Sequence, residues 1–87
     1  MIKIEEGILV GTVTHYFNKI GVAVVALNSS LKCGDTIRIT KGGNPKFSQI
    51  VESIEIEHEQ VEEAKAGEEI GLKVKQVVRK GCSVFKL

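Results

Sequence analysis

Apolar and polar residues alternate along most of this chain, and the spacing of an amphipathic helix is nearly absent. Alternation with a period of two is typical of strands that bury one face. It predicts six strands, at residues 8–17, 20–27, 35–41, 47–59, 69–76 and 82–86. Residues 41–46 contain the only proline and are predicted to form an exposed loop, and the glutamate-rich residues 59–64 are compatible with one helical turn.

Short strands joined by tight turns, without helical crossovers, predict an all-β antiparallel barrel or sandwich. Closure into a barrel is favoured because it removes the open edges that a small sheet otherwise exposes. The sequence therefore predicts a single domain over residues 1–87, folded as a closed antiparallel barrel of six strands.

The alternation also predicts which side chains face the core. In the three clearest strands the inward residues are expected to be Ile37, Ile39, Ile54, Ile56, Leu72 and Val74. Arg38, Glu55 and Lys73 should then face outward, and His58, in phase with Ile54, should lie at the edge of the core. Residues 20–27 are apolar on both faces, so their outer face is expected to be covered by something.

Composition adds a division of charge that the net charge of +1 conceals. Residues 19–46 and 73–86 together hold ten basic residues and one acid, whereas residues 52–69 hold eight glutamates and one lysine. If the strand at 53–59 neighbours the strand after Gly71, glutamates should meet lysines across the ladder. The remaining positive charge, next to Tyr16 as an exposed ring, predicts an RNA-binding site. Its residues would be Tyr16, Lys19, Arg38, Lys41 and Lys46.

Motifs for catalysis are missing from the sequence. No phosphate-binding loop is present, so GTP binding by this chain alone is not expected. The histidines and cysteines occur singly, without the spacing of metal ligands, and Cys33 and Cys82 are expected to be reduced thiols. We therefore expect no enzyme activity, catalytic residue, metal or cofactor. The absence of a long apolar run or a secretory signal predicts a cytoplasmic protein without a membrane partner.

Three glycine-containing phrases carry a family resemblance. Gly34-Asp35 opens one predicted strand, Ala66-Gly67 leads to Gly71, and Gly81-Cys82 opens the last strand. Glycines at Gly34 and Gly71 are expected to turn the corners of the barrel. In this order the phrases resemble the second domain of translational GTPases such as elongation factor Tu, over residues 8–85. The resemblance implies a six-stranded Greek-key barrel that contacts transfer RNA or the ribosome.

A second resemblance points elsewhere. Val10-Gly11-Thr12-Val13, together with Gly34-Asp35, is similar to the C-terminal barrel of collagenase-like peptidases, which implies an accessory module. The first hypothesis is therefore an elongation factor-like module that binds RNA, the ribosome or a translation-associated partner. The alternative is a protein-interaction or self-associating accessory domain that uses the outer face of residues 20–27. A small-molecule binder or enzyme is the least supported hypothesis.

Overall fold

The computed structural model describes residues 7–87, which form ten strands and no helix. Residues 1–6, part of the predicted domain and the basis for expecting no secretory signal, lie outside the described residues. The strands are β1 (Ile8–Phe17), β2 (Val22–Leu27), β3 (Leu31–Lys32), β4 (Thr36–Lys41), β5 (Asn44–Ile50), β6 (Ile54–Ile56), β7 (Glu59–Val61), β8 (Glu63–Ala64), β9 (Glu69–Lys73) and β10 (Ser83–Lys86). In the part of the chain that is described, no helix could cross a membrane.

The strands form two antiparallel sheets. Eight of them follow the order β5-β4-β10-β1-β2-β9-β6-β7, and β3 pairs with β8 separately. Every pair of neighbouring strands is antiparallel, so the predicted all-β antiparallel class is confirmed. The closed barrel of six strands is not confirmed, because the described residues form more strands and the large sheet ends at β5 and β7 without a ladder between them.

Two local predictions are wrong. The predicted strand at 47–59 is interrupted, because β5 ends at Ile50 and Val51 instead exchanges backbone hydrogen bonds with Gly34 and Asp35. The segment at 59–64 is not helical, because its residues pair with other strands as β7 and β8. The predicted loop at 41–46 is a hairpin whose turn needs only Gly42 and Gly43.

The predicted core register is confirmed. Ile37, Ile39, Ile54 and Leu72 are fully buried, Val74 is nearly so, and Ile56 packs against them from the edge. In β2, the buried residues are Ala23, Val25 and Leu27, which leaves Val22, Val24 and Ala26 on the outer face. Between the core positions, Glu55 and Lys73 are exposed and Arg38 is half-buried.

A bulge in β1 inverts the side-chain alternation near its end. The register with β2 shifts between Val13 and His15, so Thr14 is an extra residue in the strand. An extra residue moves every later side chain to the opposite face. Tyr16 is therefore partly buried against the core, and Phe17, 47% exposed, takes the outward position that the simple alternation assigns to Tyr16.

Gln49 supplies a polar link across the interior. Its side chain is buried; its Nε2 donates a hydrogen bond to the Lys73 carbonyl at 2.8 Å, and its Oε1 accepts one from the Lys75 backbone at 2.9 Å. Buried amides are stable when their donors and acceptors are paired in this way. One side chain thus joins the edge strand β5 to the end of β9.

Candidate interaction surface on the outer face of β2

The residues predicted to bind RNA lie on two separate hairpins. Arg38, Lys41 and Lys46 belong to the β4–β5 hairpin, whereas Tyr16 and Lys19 belong to the β1–β2 hairpin. Strand β10 lies between these hairpins in the sheet order. Because Tyr16 packs against the core, the exposed ring that this site requires is not at the predicted position.

The expected ladder of glutamates and lysines is replaced by a different arrangement. Strands β6 and β9 are antiparallel neighbours, as predicted, but the register sets Glu55 opposite Gly71. Lys73 instead pairs with Val22 on the other side of β9. Glu55 therefore faces a position that has no side chain.

The outer face of β2 lies at the surface, contrary to the expectation that it would be covered. Val22 and Val24 are half-buried, and Ala26 is exposed. The turn before β2 extends this apolar surface, because Ile20 is 60% exposed and lies next to Phe17 along one shallow depression. A continuous apolar surface of this kind is a feature of interaction sites on soluble proteins.

A groove of about 250 Å³ crosses this surface between β2, β9 and β6. We call it the outer groove; its lining includes Phe17, Ile20, Val22, Val24, Gly71 and three glutamates, Glu55, Glu57 and Glu69. Gly71 is the reason that the groove is open at its centre. A Cβ atom at this position would lie 3.4 Å from Val22 Cγ1 and 3.8 Å from Glu55 Cβ, so any larger side chain would occupy the groove.

Two of the three carboxylates that line the outer groove stand on its β6 side, and the third reaches across β2 toward β1. Glu55 and Glu57 come from β6 and the turn after it, and Glu69 comes from the start of β9. The hydroxyl of Thr14, the bulge residue of β1, lies 3.2 Å from Glu69 Oε2 and 3.3 Å from the Val24 carbonyl oxygen, and donates its hydrogen between them. The bulge therefore also orients one of the three acidic groups.

The turn between β6 and β7 holds two non-glycine residues at positive φ. Glu57 has φ 52° and His58 has φ 70°, and Ile56 pairs with Glu59 to leave a two-residue loop. Tight hairpins of this type strongly prefer Asn-Gly, because other side chains are strained in the left-handed region. The predicted position of His58 at the core is wrong, because the turn places it on the exposed rim of the outer groove.

Replacing Glu57 and His58 together by Asn and Gly is expected to raise the free energy of unfolding by about 1–2 kcal/mol, because left-handed backbone strain is relieved. Urea denaturation followed by circular dichroism would measure the change. Glu57→Gln is the control, since it removes the charge and keeps the strained backbone, and it should leave stability nearly unchanged. An unchanged midpoint in the double variant would show that the turn is not strained.

The other histidine and the two cysteines pack against neighbouring residues of the fold. His15 packs edge-on against Phe17, with ring centroids 4.4 Å apart. Cys82 is buried in the core, and Cys33 is a half-buried free thiol whose Sγ lies 3.8 Å from the Val61 carbonyl oxygen. Within residues 7–87, no group of three or more histidine, cysteine or acidic side chains is placed to hold a metal ion.

Sequence comparison relates the chain to peptidase-type proteins. It is 39% identical over 78 residues to an uncharacterized protease of Methanocaldococcus jannaschii, which covers 90% of this chain and 19% of that protein. It is 36% identical over 83 residues to a collagenase of Porphyromonas gingivalis, which covers 94% of this chain and 20% of the collagenase. The chain thus spans about a fifth of the length of these curated relatives. No protein-family model matches the sequence.

Structural comparison gives the fold. The C-terminal domain of a candidate U32 peptidase from Geobacillus thermoleovorans superposes with a TM-score of 0.83 at 21% identity, over 100% of this chain and 99% of that domain. A selenomethionine variant of the same domain gives 0.83 at 22% identity, over 90% of this chain and 98% of the other. The chain therefore has the fold of this C-terminal domain, and the predicted similarity to collagenase-like peptidases is confirmed.

The interpretation as an elongation factor-like module that binds RNA is wrong. The relatives found are a protease and a collagenase, and the structural match is to the C-terminal domain of a candidate peptidase. Glycines at strand entries specify where a small β-domain turns, and many families share such corners, so these motifs do not determine function. The sequence predicted only the β2 side of the outer groove, as the apolar outer face of residues 20–27. The glutamates and the open centre at Gly71 were missed because they depend on the pairing of β2, β9 and β6.

Proposed function

We propose that this chain is a non-catalytic accessory module that provides a protein-binding surface in a protein of the collagenase-like peptidase type. The main support is that 78 residues match the M. jannaschii protease at 39% identity yet correspond to only 19% of its length. Most of such a protein therefore lies outside the matching region, and a module of this size would act by contacting it or its substrates.

The surface described above supports a binding role. The outer groove is shallow, and its carboxylates lie on an exposed rim. Small-molecule sites usually enclose most of their ligand in a volume of roughly 300–1,000 Å³. Exposed apolar residues beside charged ones suit a protein partner better, since a flat surface of this kind can be covered by another chain. We also infer a cytoplasmic location, which the two free thiols favour.

The test uses the M. jannaschii protease from which the 78 matching residues have been deleted. The 87-residue chain alone is expected to hydrolyse neither gelatin nor casein, and to bind the truncated protease in isothermal titration calorimetry. A Lys41→Ser/Lys46→Ser variant is the matched control and should bind equally well, because both residues lie on the β4–β5 hairpin, away from the outer groove. Proteolysis by the purified chain, or no binding to the truncated protease, would contradict the proposal.

A further inference from the structure

We propose that the outer groove binds a lysine or arginine side chain presented by an apolar segment of a protein partner. The inference rests on the proposed function and identifies the surface and the partner chemistry. It follows from three features that lie side by side: an apolar wall, the glycine without a side chain at the centre, and carboxylates on the opposite side.

The empty position is defined by the strand register. Val24 on β2 pairs with Gly71 on β9, and Gly71 pairs with Glu55 on β6, so these three residues form one row across the sheet. Neighbouring strands lie about 4.8 Å apart, which sets Val24 and Glu55 about 10 Å apart across a position without a side chain. The groove therefore has an apolar wall on one side and a carboxylate on the other.

A long basic side chain matches this arrangement. The methylene stem of lysine or arginine packs on apolar surface while its charged end reaches a polar group. In the outer groove the stem would lie along Val22 and Val24, and the cation would meet Glu55 and its neighbour Glu57 on the β6 side. Glu69, whose carboxylate is held by Thr14, adds negative charge on the other side of the groove.

Among residues 7–87, the groove is lined by three carboxylates and by no lysine or arginine, so charge complementarity selects a basic partner. His58 is the other titratable side chain on its rim, and Lys73 lies farther along β9, in an adjoining depression that shares Val22, Glu55 and Gly71 with the groove.

The apolar surroundings determine what should flank the basic residue. Ile20 is 60% exposed and Phe17 is 47% exposed, and both line the groove. Leucine or another aliphatic residue next to the lysine would cover them and remove apolar area from water. The strained turn at Glu57 and His58 holds one acidic residue on the opposite rim, and strained backbone of this kind is often retained at binding sites.

The test is a titration of the isotope-labelled chain with the peptide acetyl-Gly-Leu-Lys-Leu-Lys-Gly-amide, followed by NMR at low salt. Chemical-shift changes are expected at Phe17, Val22, Val24, Glu55 and Gly71, and the affinity should fall as salt is added. Two matched peptides separate the contributions. Glutamate in place of lysine should weaken binding about tenfold or more, and serine in place of leucine should weaken it less.

Three variants of the chain locate the site. Glu55→Lys should weaken binding of the lysine peptide about tenfold, since it replaces attraction by repulsion. Gly71→Leu should also weaken peptide binding, because the leucine fills the groove. If this variant fails to fold, Gly71→Ala is a milder replacement, since its added methyl group makes ordinary contacts. Glu63→Lys is the control, since Glu63 is an exposed acid on β8 that does not line the groove, and it should bind like the original chain.

The outcomes distinguish this inference from the proposed function. If the truncated protease binds the original chain and Glu55→Lys equally well, the groove inference is overturned and the accessory role stands. If the peptide binds in the groove but the truncated protease does not bind, the accessory role fails instead. A dimer in sedimentation equilibrium that Glu55→Lys abolishes would make a second copy the occupant and overturn the proposed partner.

Discussion

Ile54→Ala is expected to lower the free energy of unfolding by about 2–5 kcal/mol, the range for removing a large aliphatic side chain from a packed core. Ile54 is fully buried, and it joins two ladders by pairing with Val61 on β7 and Leu72 on β9. The substitution removes three carbon atoms from a place where neighbouring strands cannot close the cavity without losing their hydrogen bonds. Urea denaturation followed by far-ultraviolet circular dichroism would measure the loss.

The same substitution at Ile20 provides the control. Ile20 is 60% exposed in the turn before β2, so Ile20→Ala should change the free energy of unfolding by less than about 0.5 kcal/mol. The melting temperature should show the same contrast, since about 1 kcal/mol corresponds to roughly 4–8 °C in a domain of this size. Similar losses for the two variants would mean that Ile54 is not at the centre of the core.

Gly11→Val is expected to be the second most damaging substitution. A Cβ atom on Gly11 would lie 2.7 Å from Val25 Cγ1 and 2.8 Å from the Ala26 carbonyl oxygen, well inside van der Waals contact. The Val25 side chain can rotate away. The Ala26 carbonyl cannot, because it belongs to the backbone of β2, which is hydrogen-bonded to β1 on one side and to β9 on the other. Overpacking of this kind costs about 1–3 kcal/mol, and because backbone atoms must move we expect the upper end of that range.

Gly71 provides a comparison within the same sheet. Its backbone φ is not positive, and an added Cβ atom would make contacts no closer than 3.4 Å. Gly71→Ala should therefore be tolerated, and the expectation that both Gly34 and Gly71 turn corners holds only for Gly34, whose φ is 97°. Thermal unfolding of Gly11→Ala, Gly11→Val and Gly71→Ala would rank the three variants by their loss of stability. Equal melting temperatures would contradict the close approach at Gly11.

The alternation of apolar and polar residues was sufficient to predict which residues form the core and which face of each strand is buried. A strand that buries one face must repeat its apolar residues every second position, and a shift by one residue would bury Arg38, Glu55 and Lys73. Ile37, Ile39, Ile54 and Leu72 could therefore be assigned before any pairing was known. The resemblance to the C-terminal barrel of collagenase-like peptidases was also readable from short motifs, although these did not exclude the translational GTPases.

Local backbone irregularities were not readable in the same way. The bulge at Thr14 exchanges the orientations of Tyr16 and Phe17. The pattern of apolar and polar residues that precedes a bulge does not predict its position. The turn of the β6–β7 hairpin was predicted to continue the strand at 47–59, because Glu57 and His58 are unusual residues for a tight turn. In both places tertiary pairing overrides the local preference.

The sequence by itself determined the all-β class, the inward residues and the likeness to a peptidase-associated module. Only the tertiary structure decided how the apolar outer face of β2 becomes a groove, because the outer groove combines the β1–β2 hairpin with β6 and β9, which are far from it along the chain. Periodicity records which face of a strand is buried. It does not record that Gly71 lies between Val24 and Glu55, since that row exists only once three strands have found their neighbours.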